Sequence, residues 1–293
     1  MTAYEPHQTL VAPAKASAGL FRLVAGLILL LISVIALNFS LVGVLQSSAD
    51  WERLQYELMV GNSPRAMLIM LFSFVMAAAS LWVVVRLLHR RAFLSLVGPL
   101  GATVSDFFRV FRLLIVLSAV LLVLPSTPEQ SPGTHMRFAE WLPWVLPALL
   151  AIFIQVSTEE VIFRGYFQSQ LAARFAQPWV WIVVPSVIFG LLHYSPEAYG
   201  ENAMLIALWA VAFGCVAADI TARSGNLGPA IALHFVNNVL AIMIVALRDH
   251  WDGLALLNMP YGPQDTDLVR ATLLIEGPVL LCFWLTARIA IRR

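Results

Sequence analysis

The chain has 293 residues, 60% of them hydrophobic and only 12% charged, with a mean hydropathy of +0.82. A soluble domain carries about 25% charged residues, so an ordinary water-soluble fold is excluded and a polytopic membrane protein is indicated. The formal net charge of +1 gives no reason to expect nucleic acid as a partner.

Eight apolar runs have the length that a bilayer demands. The first, about 20–45, is longer than the roughly 7–15 residues of a signal-peptide core and reads as a retained helix. The others are approximately 66–86, 108–125, 142–160, 179–195, 203–220, 229–247 and 271–290. Linkers between them hold Pro, Gly and most of the charge. The shorter stretch "AFLSLVGPLG", 92–101, reads as an interfacial connector. The short alternating segments of a transmembrane β-barrel are missing. The expected fold is therefore all-α, a polytopic transmembrane helical bundle of about eight spans. Cys215 and Cys282 lie inside apolar runs and read as small buried hydrophobes rather than a disulfide.

Lys and Arg orient such a bundle. With eight alternating spans, 13 of the 18 basic residues fall on the side of the N-terminus and five, Arg53, Arg65, Arg137, Arg248 and Arg270, on the other. That bias puts both termini in the cytoplasm and the chain in a cell membrane, with a bacterial inner membrane expected.

Polar groups within or against the apolar runs carry the functional signal: Glu159, Glu160, Arg164, His193, Asp219, His234, Asn237 and Asn238. A charge at the centre of a membrane helix costs about 2.5–3.5 kcal/mol, so Glu159, Glu160 and Arg164 must be paired or hydrated. Glu160 and Arg164 are i,i+4 and share a helix face. Glu159 is rotated about 100° from Glu160, which frees it for a different task. Phe189 and His193 share a face, as do His234 and Asn238. A carboxylate can act as general base on a water, and one histidine can share that water. A second histidine with an amide can stabilise an oxyanion. Those are the parts of amide hydrolysis without a covalent intermediate. Two histidines and a glutamate could instead hold a divalent metal such as zinc with an open position, or the polar groups could relay protons or ions in a transporter or channel. A non-enzymatic immunity or scaffold protein is the third class.

The order Glu159-Glu160-x-x-x-Arg164, Phe189-x-x-x-His193, His234-x-x-x-Asn238, with its flanks "EEVIFRGYFQ" and "SGNLGPAIALHFVNN", resembles the CAAX prenyl endopeptidase and bacteriocin-processing (CPBP, or Abi) family of intramembrane proteases over about 145–245. The resemblance implies Glu159 as the base that activates water, His193 on the same water, His234 and Asn238 at the oxyanion, and Glu160 with Arg164, beside Phe189, holding the geometry. It implies a membrane-associated protein or peptide as substrate, and leaves the enzyme glutamate-type or metallo-type; a bound metal would take Glu159, His193 and His234. Asn238 fits the motif better than Asn237 as the working amide. The chain then divides into 1–140, helices one to three; 141–250, the catalytic core; and 251–293, a loop and the last helix. His-Glu-x-x-His, Gly-x-Gly-Asp and Gly-x-Ser-Gly, the marks of other intramembrane proteases, are not found.

Simple spans put these motifs at mismatched depths. The mismatch disappears if the fourth helix continues unbroken through "EEVIFRGYFQSQLAARF", the fifth is short and ends near His193, and the two face a hydrated cavity.

Overall fold

The computed structural model describes residues 3–125 and 127–292. Each of the eight apolar runs becomes a helix: α1 Leu20–Leu45, α2 Pro64–His89, α3 Leu100–Leu122, α4 Phe138–Ala172, α5 Pro178–Leu191, α6 Pro196–Ser224, α7 Gly228–Ile244 and α8 Thr266–Ala290. Of these, α1, α2, α4, α6 and α8 are long and apolar enough to cross a membrane by themselves. The fold is the all-α polytopic bundle that the composition requires. The sheet content is small: strands β1 Gly133–Thr134, β2 Val245–Ala246 and β3 Leu257–Asn258, with β3 pairing antiparallel to β1 and parallel to β2.

The helix starts are written in the sequence. Pro64, Pro178 and Pro196 open α2, α5 and α6, positions where a missing N–H costs nothing and the fixed φ suits a helix. Ser63 and Ser195 cap the first turns of α2 and α6, accepting from Ala66 N and Ala198 N. Two expectations are corrected. The third helix begins at Leu100 rather than 108, directly after Pro99, because Thr103, Ser105 and Asp106 dilute its hydropathy while Thr103 and Val110 are buried. Cys282 is exposed on the outside of α8 and Cys215 is half-buried, so neither is a fully buried hydrophobe; both are free.

The helix α4 is the axis of the molecule. Its 35 residues run about 52 Å at 1.5 Å per residue, well beyond the roughly 30 Å of a hydrocarbon core. Val161–Gln168 within it is π-helical, a wide turn that recurs at functional sites. The connector 92–101 is packed against that turn: Leu96 is fully buried, and a Cβ on Gly165 would sit 2.7 Å from the Leu96 carbonyl oxygen. Tyr166 on the same turn bonds to His89 Nε2 at 2.8 Å.

One end of the bundle is tied by the N-terminal segment. Tyr4 donates to Asp219 Oδ1 at 2.7 Å, Trp284 Nε1 donates to Asp219 Oδ2 at 2.9 Å, and Arg223 pairs with the same carboxylate at 2.8 Å. At the other end Glu57, in the helix Trp51–Val60, gathers Arg53 at 2.8 Å, Arg65 at 2.6 Å and Ser63 at 2.7 Å. Arg65 and Ser63 hold the Glu57 carboxyl down to about 2, from the ordinary 4.5.

Two predictions follow from this packing. Gly165→Ala forces the Leu96 backbone aside and lowers stability by about 1–3 kcal/mol, whereas Gly101→Ala, which meets nothing within 4 Å, leaves it unchanged; thermal unfolding in detergent separates them. Because the folded carboxyl of Glu57 titrates below the unfolded one, its contribution is present above about pH 4.5 and is lost as the pH falls towards 2. Glu57→Gln therefore lowers the melting temperature by about 2–4 °C at pH 7, and the gap to wild type narrows steadily on acidification below pH 4.5.

Candidate active site

Two antiparallel helices, α4 and α7, face each other through polar residues spaced one turn apart. Gln155 and Glu159 on α4 are i,i+4, as are His234 and Asn238 on α7. The Asn238 side-chain amide donates to Gln155 Oε1 at 2.9 Å. One turn along, His234 Nε2 lies 3.5 Å from Glu159 Oε2. The other ring nitrogen, Nδ1, is 2.8 Å from Glu160 Oε1. A carboxylate only accepts, so Nδ1 carries the hydrogen and Nε2 is left facing Glu159. His234, 4% exposed, thus sits between the two glutamates.

Glu160 is fully buried, and its second oxygen lies 3.3 Å from Arg164 Nε, the pair that their spacing anticipates. Arg164 also donates through Nη2 to the Gly214 carbonyl at 3.2 Å. Its guanidinium lies 4.9 Å from the centroid of the Phe189 ring and 5.7 Å from that of Phe163. Phe189 joins the pieces: its ring is 4.6 Å from His193, 6.1 Å from His234 and 5.1 Å from Phe163.

His193 follows α5 directly. Its Nδ1 bonds to the Phe189 carbonyl at 2.8 Å, and a carbonyl also only accepts, so Nδ1 is the donor and Nε2 stays free. His193 and Glu159 both line one cavity of 1440 Å³, together with Leu30, Val34 and Ala77 from α1 and α2 and with Phe163. Glu159 keeps 16% of its side-chain surface open. His234, Asn237 and Asn238 are not on its wall; Asn237 donates to Asn238 Oδ1 at 3.2 Å and so supports the residue that reaches across to α4.

α4 is unbroken through Glu159, α5 is a 14-residue helix, and Glu159 and His193 line one cavity. Asp219 stands apart in the N-terminal knot. Gln155 and Phe213 were missed by sequence reasoning. Gln155 could have been found as the i−4 partner of Glu159 in an apolar run; Phe213, 4.9 Å from the His234 ring, carries no signal that distinguishes it from other core aromatics. No group of three or more His, Cys, Asp or Glu among the described residues is gathered to hold a metal ion. Glu159, His193 and His234 as placed do not fit one: His193 faces the cavity with Glu159, while His234 is turned to Glu160 off its wall.

Removing one partner of a buried ion pair strands the other. Arg164→Leu leaves the fully buried Glu160 carboxylate with His234 alone, and stability falls by about 3–5 kcal/mol, measured as the shift in thermal unfolding of the purified protein.

An uncharacterized Bacillus subtilis protein, YyaK, is 24% identical over 182 residues, a match that spans 60% of either chain. No solved structure matches. Residues 140–240 match the family model of the Rce1-like, type II CAAX prenyl endopeptidases, so the resemblance carried by the three motifs holds over the whole segment that bears Gln155, Glu159, Glu160, Arg164, Phe189, His193, His234 and Asn238.

Proposed function

We propose that the protein is an intramembrane endopeptidase that hydrolyses a peptide bond of a membrane-associated protein or peptide. One observation carries the reading: Glu159 and His193 share the wall of a single cavity, while the groups behind Glu159 are tied to buried partners. Its environment is a multi-pass location in a membrane, for which a bacterial inner membrane is the proposed case.

In this reading a water lies between the Glu159 carboxylate and His193 Nε2. Glu159 takes a proton from the water as its oxygen attacks the peptide carbonyl, and later returns that proton to the departing amine. His193, a hydrogen-bond acceptor at Nε2, orients the water. His234 acts from behind: its ring, held through Nδ1 by Glu160, stands 3.5 Å from the Glu159 carboxylate and limits where that carboxylate can turn. Asn238, off the cavity wall, donates an amide hydrogen to Gln155 and so braces α7 against α4 one turn from Glu159. Glu160, Arg164 and Phe189 set the rotation of α4 and the seat of both histidines. The apolar cavity walls strengthen each of these electrostatic contacts relative to water.

Glu159→Gln keeps the shape and removes the base. Cleavage of a membrane-anchored reporter peptide by the purified protein falls by about 100-fold or more, with unfolding temperature unchanged. Cleavage retained at the wild-type rate defeats the proposed mechanism.

A further inference from the structure

The two ends of the bundle differ in charge and in closure. Segments 3–22, 86–112, 173–178, 219–228 and 288–292 carry 11 Lys and Arg against 3 Asp and Glu. They are knit together: Tyr4 to Asp219, Arg91 to the Leu10 carbonyl at 3.4 Å, Leu227 N to the Val97 carbonyl at 3.0 Å. Leu10, Val11, Ala14, Leu96 and Leu227 are at most 1% exposed, so this end is shut beneath the active site.

Segments 46–65, 127–141, 195–202 and 246–270 carry 5 Lys and Arg against 11 Asp and Glu. These also meet: Trp251 N donates to the Val60 carbonyl at 3.1 Å, Gln264 to the Glu197 carbonyl at 3.0 Å, and His250 bonds to Tyr199 at 3.1 Å. The cavity of Glu159 and His193 has its polar rim on this end, formed by Glu197, Arg248, Asp249, His250, Gln264 and Asp265. Arg248 pairs with Asp249 at 3.8 Å, which leaves the charges of Glu197 and Asp265 to set the sign of the rim. Burial lowers the pKa of His250, so it adds no compensating charge at neutral pH.

Lys and Arg concentrate on the cytoplasmic side of a membrane protein, so the acidic, open end is extracytoplasmic. We propose that the cavity is loaded from the extracytoplasmic side and takes a membrane-anchored peptide whose residues next to the anchor are cationic. The anchor lies against the apolar walls of α1 and α2, and the cationic residues lie at the rim. A tail displayed on the cytoplasmic surface would meet the closed end instead. The proposal gives a substrate class to the peptidase reading and rests on it only for the cut, not for occupancy.

Sidedness is tested by labelling. In a Cys215→Ala/Cys282→Ala background, a membrane-impermeant maleimide reacts with Gln264→Cys in intact bacterial cells and with Lys15→Cys only after lysis; any other pattern overturns the proposal. Charge selection is tested with two fluorescent peptides, one apolar helix flanked by three Lys or by three Glu. Binding to detergent-solubilised full-length Glu159→Gln protein is followed by anisotropy. The Lys-flanked peptide binds about fivefold more tightly at low salt, less so at high salt, and Glu197→Gln/Asp265→Asn abolishes the preference. Equal binding of the two peptides, or preference for the acidic one, overturns the cationic assignment. Wild-type protein that behaves as stated yet leaves the Lys-flanked peptide uncut upholds this inference and refutes the peptidase reading.

Discussion

The structure depends on keeping the Glu160 and Arg164 charges buried inside a membrane helix. A charge in that position is tolerable only with a partner, and the partner must itself be satisfied. Glu160 meets Arg164 on its own helix and His234 on α7; Arg164 adds the Gly214 carbonyl of α6 and the Phe189 ring of α5. Four helices are thereby fixed around one ion pair. The same arrangement sets the rotation of α4. With Glu160 turned into the protein interior, Glu159, about 100° further round, is brought to the cavity wall.

That separation explains why two adjacent glutamates do different work. Glu160 has no exposed surface and is held between Arg164 and His234, so it is part of the scaffold. Glu159 shares only His234 and keeps an open side. The antiparallel rungs Gln155–Asn238 and Glu159–His234 place both on rigid elements, and a site on helices is held more precisely than one on loops. The π-helical turn directly after Glu160 widens α4 where Gly165 approaches the Leu96 backbone, so the connector before α3 braces the turn that carries Arg164.

What was legible in the sequence follows from cost. Eight helices announced themselves because lipid requires long apolar runs, and Glu159, Glu160, Arg164 and His234 because charge or imidazole in such a run demands an explanation. Residues that cost little were silent. Gln155 is a single neutral amide, and its partner lies 83 residues away in Asn238. The start of α3 was hidden by Thr103, Ser105 and Asp106, whose polarity reads as a linker although the backbone is helical. The strands are two residues long and have no periodicity to detect. The N-terminal segment gave no hydropathy signal, yet Tyr4 is what completes the Asp219 knot; only tertiary contacts reveal it.

The short helix α5 ties the cavity to the chemistry. Its 14 residues reach about 21 Å, and the carbonyls of its last turn need donors. His193 supplies two: its backbone N–H goes to Gly190 and its ring Nδ1 to Phe189. The ring therefore closes its own helix, and the same bond leaves Nε2 as the free acceptor. The backbone just beyond that turn lines the cavity, through His193 and Ser195. The place of His193 on the cavity wall and the orientation of its ring are thus two results of one cause, a helix that stops at the cavity.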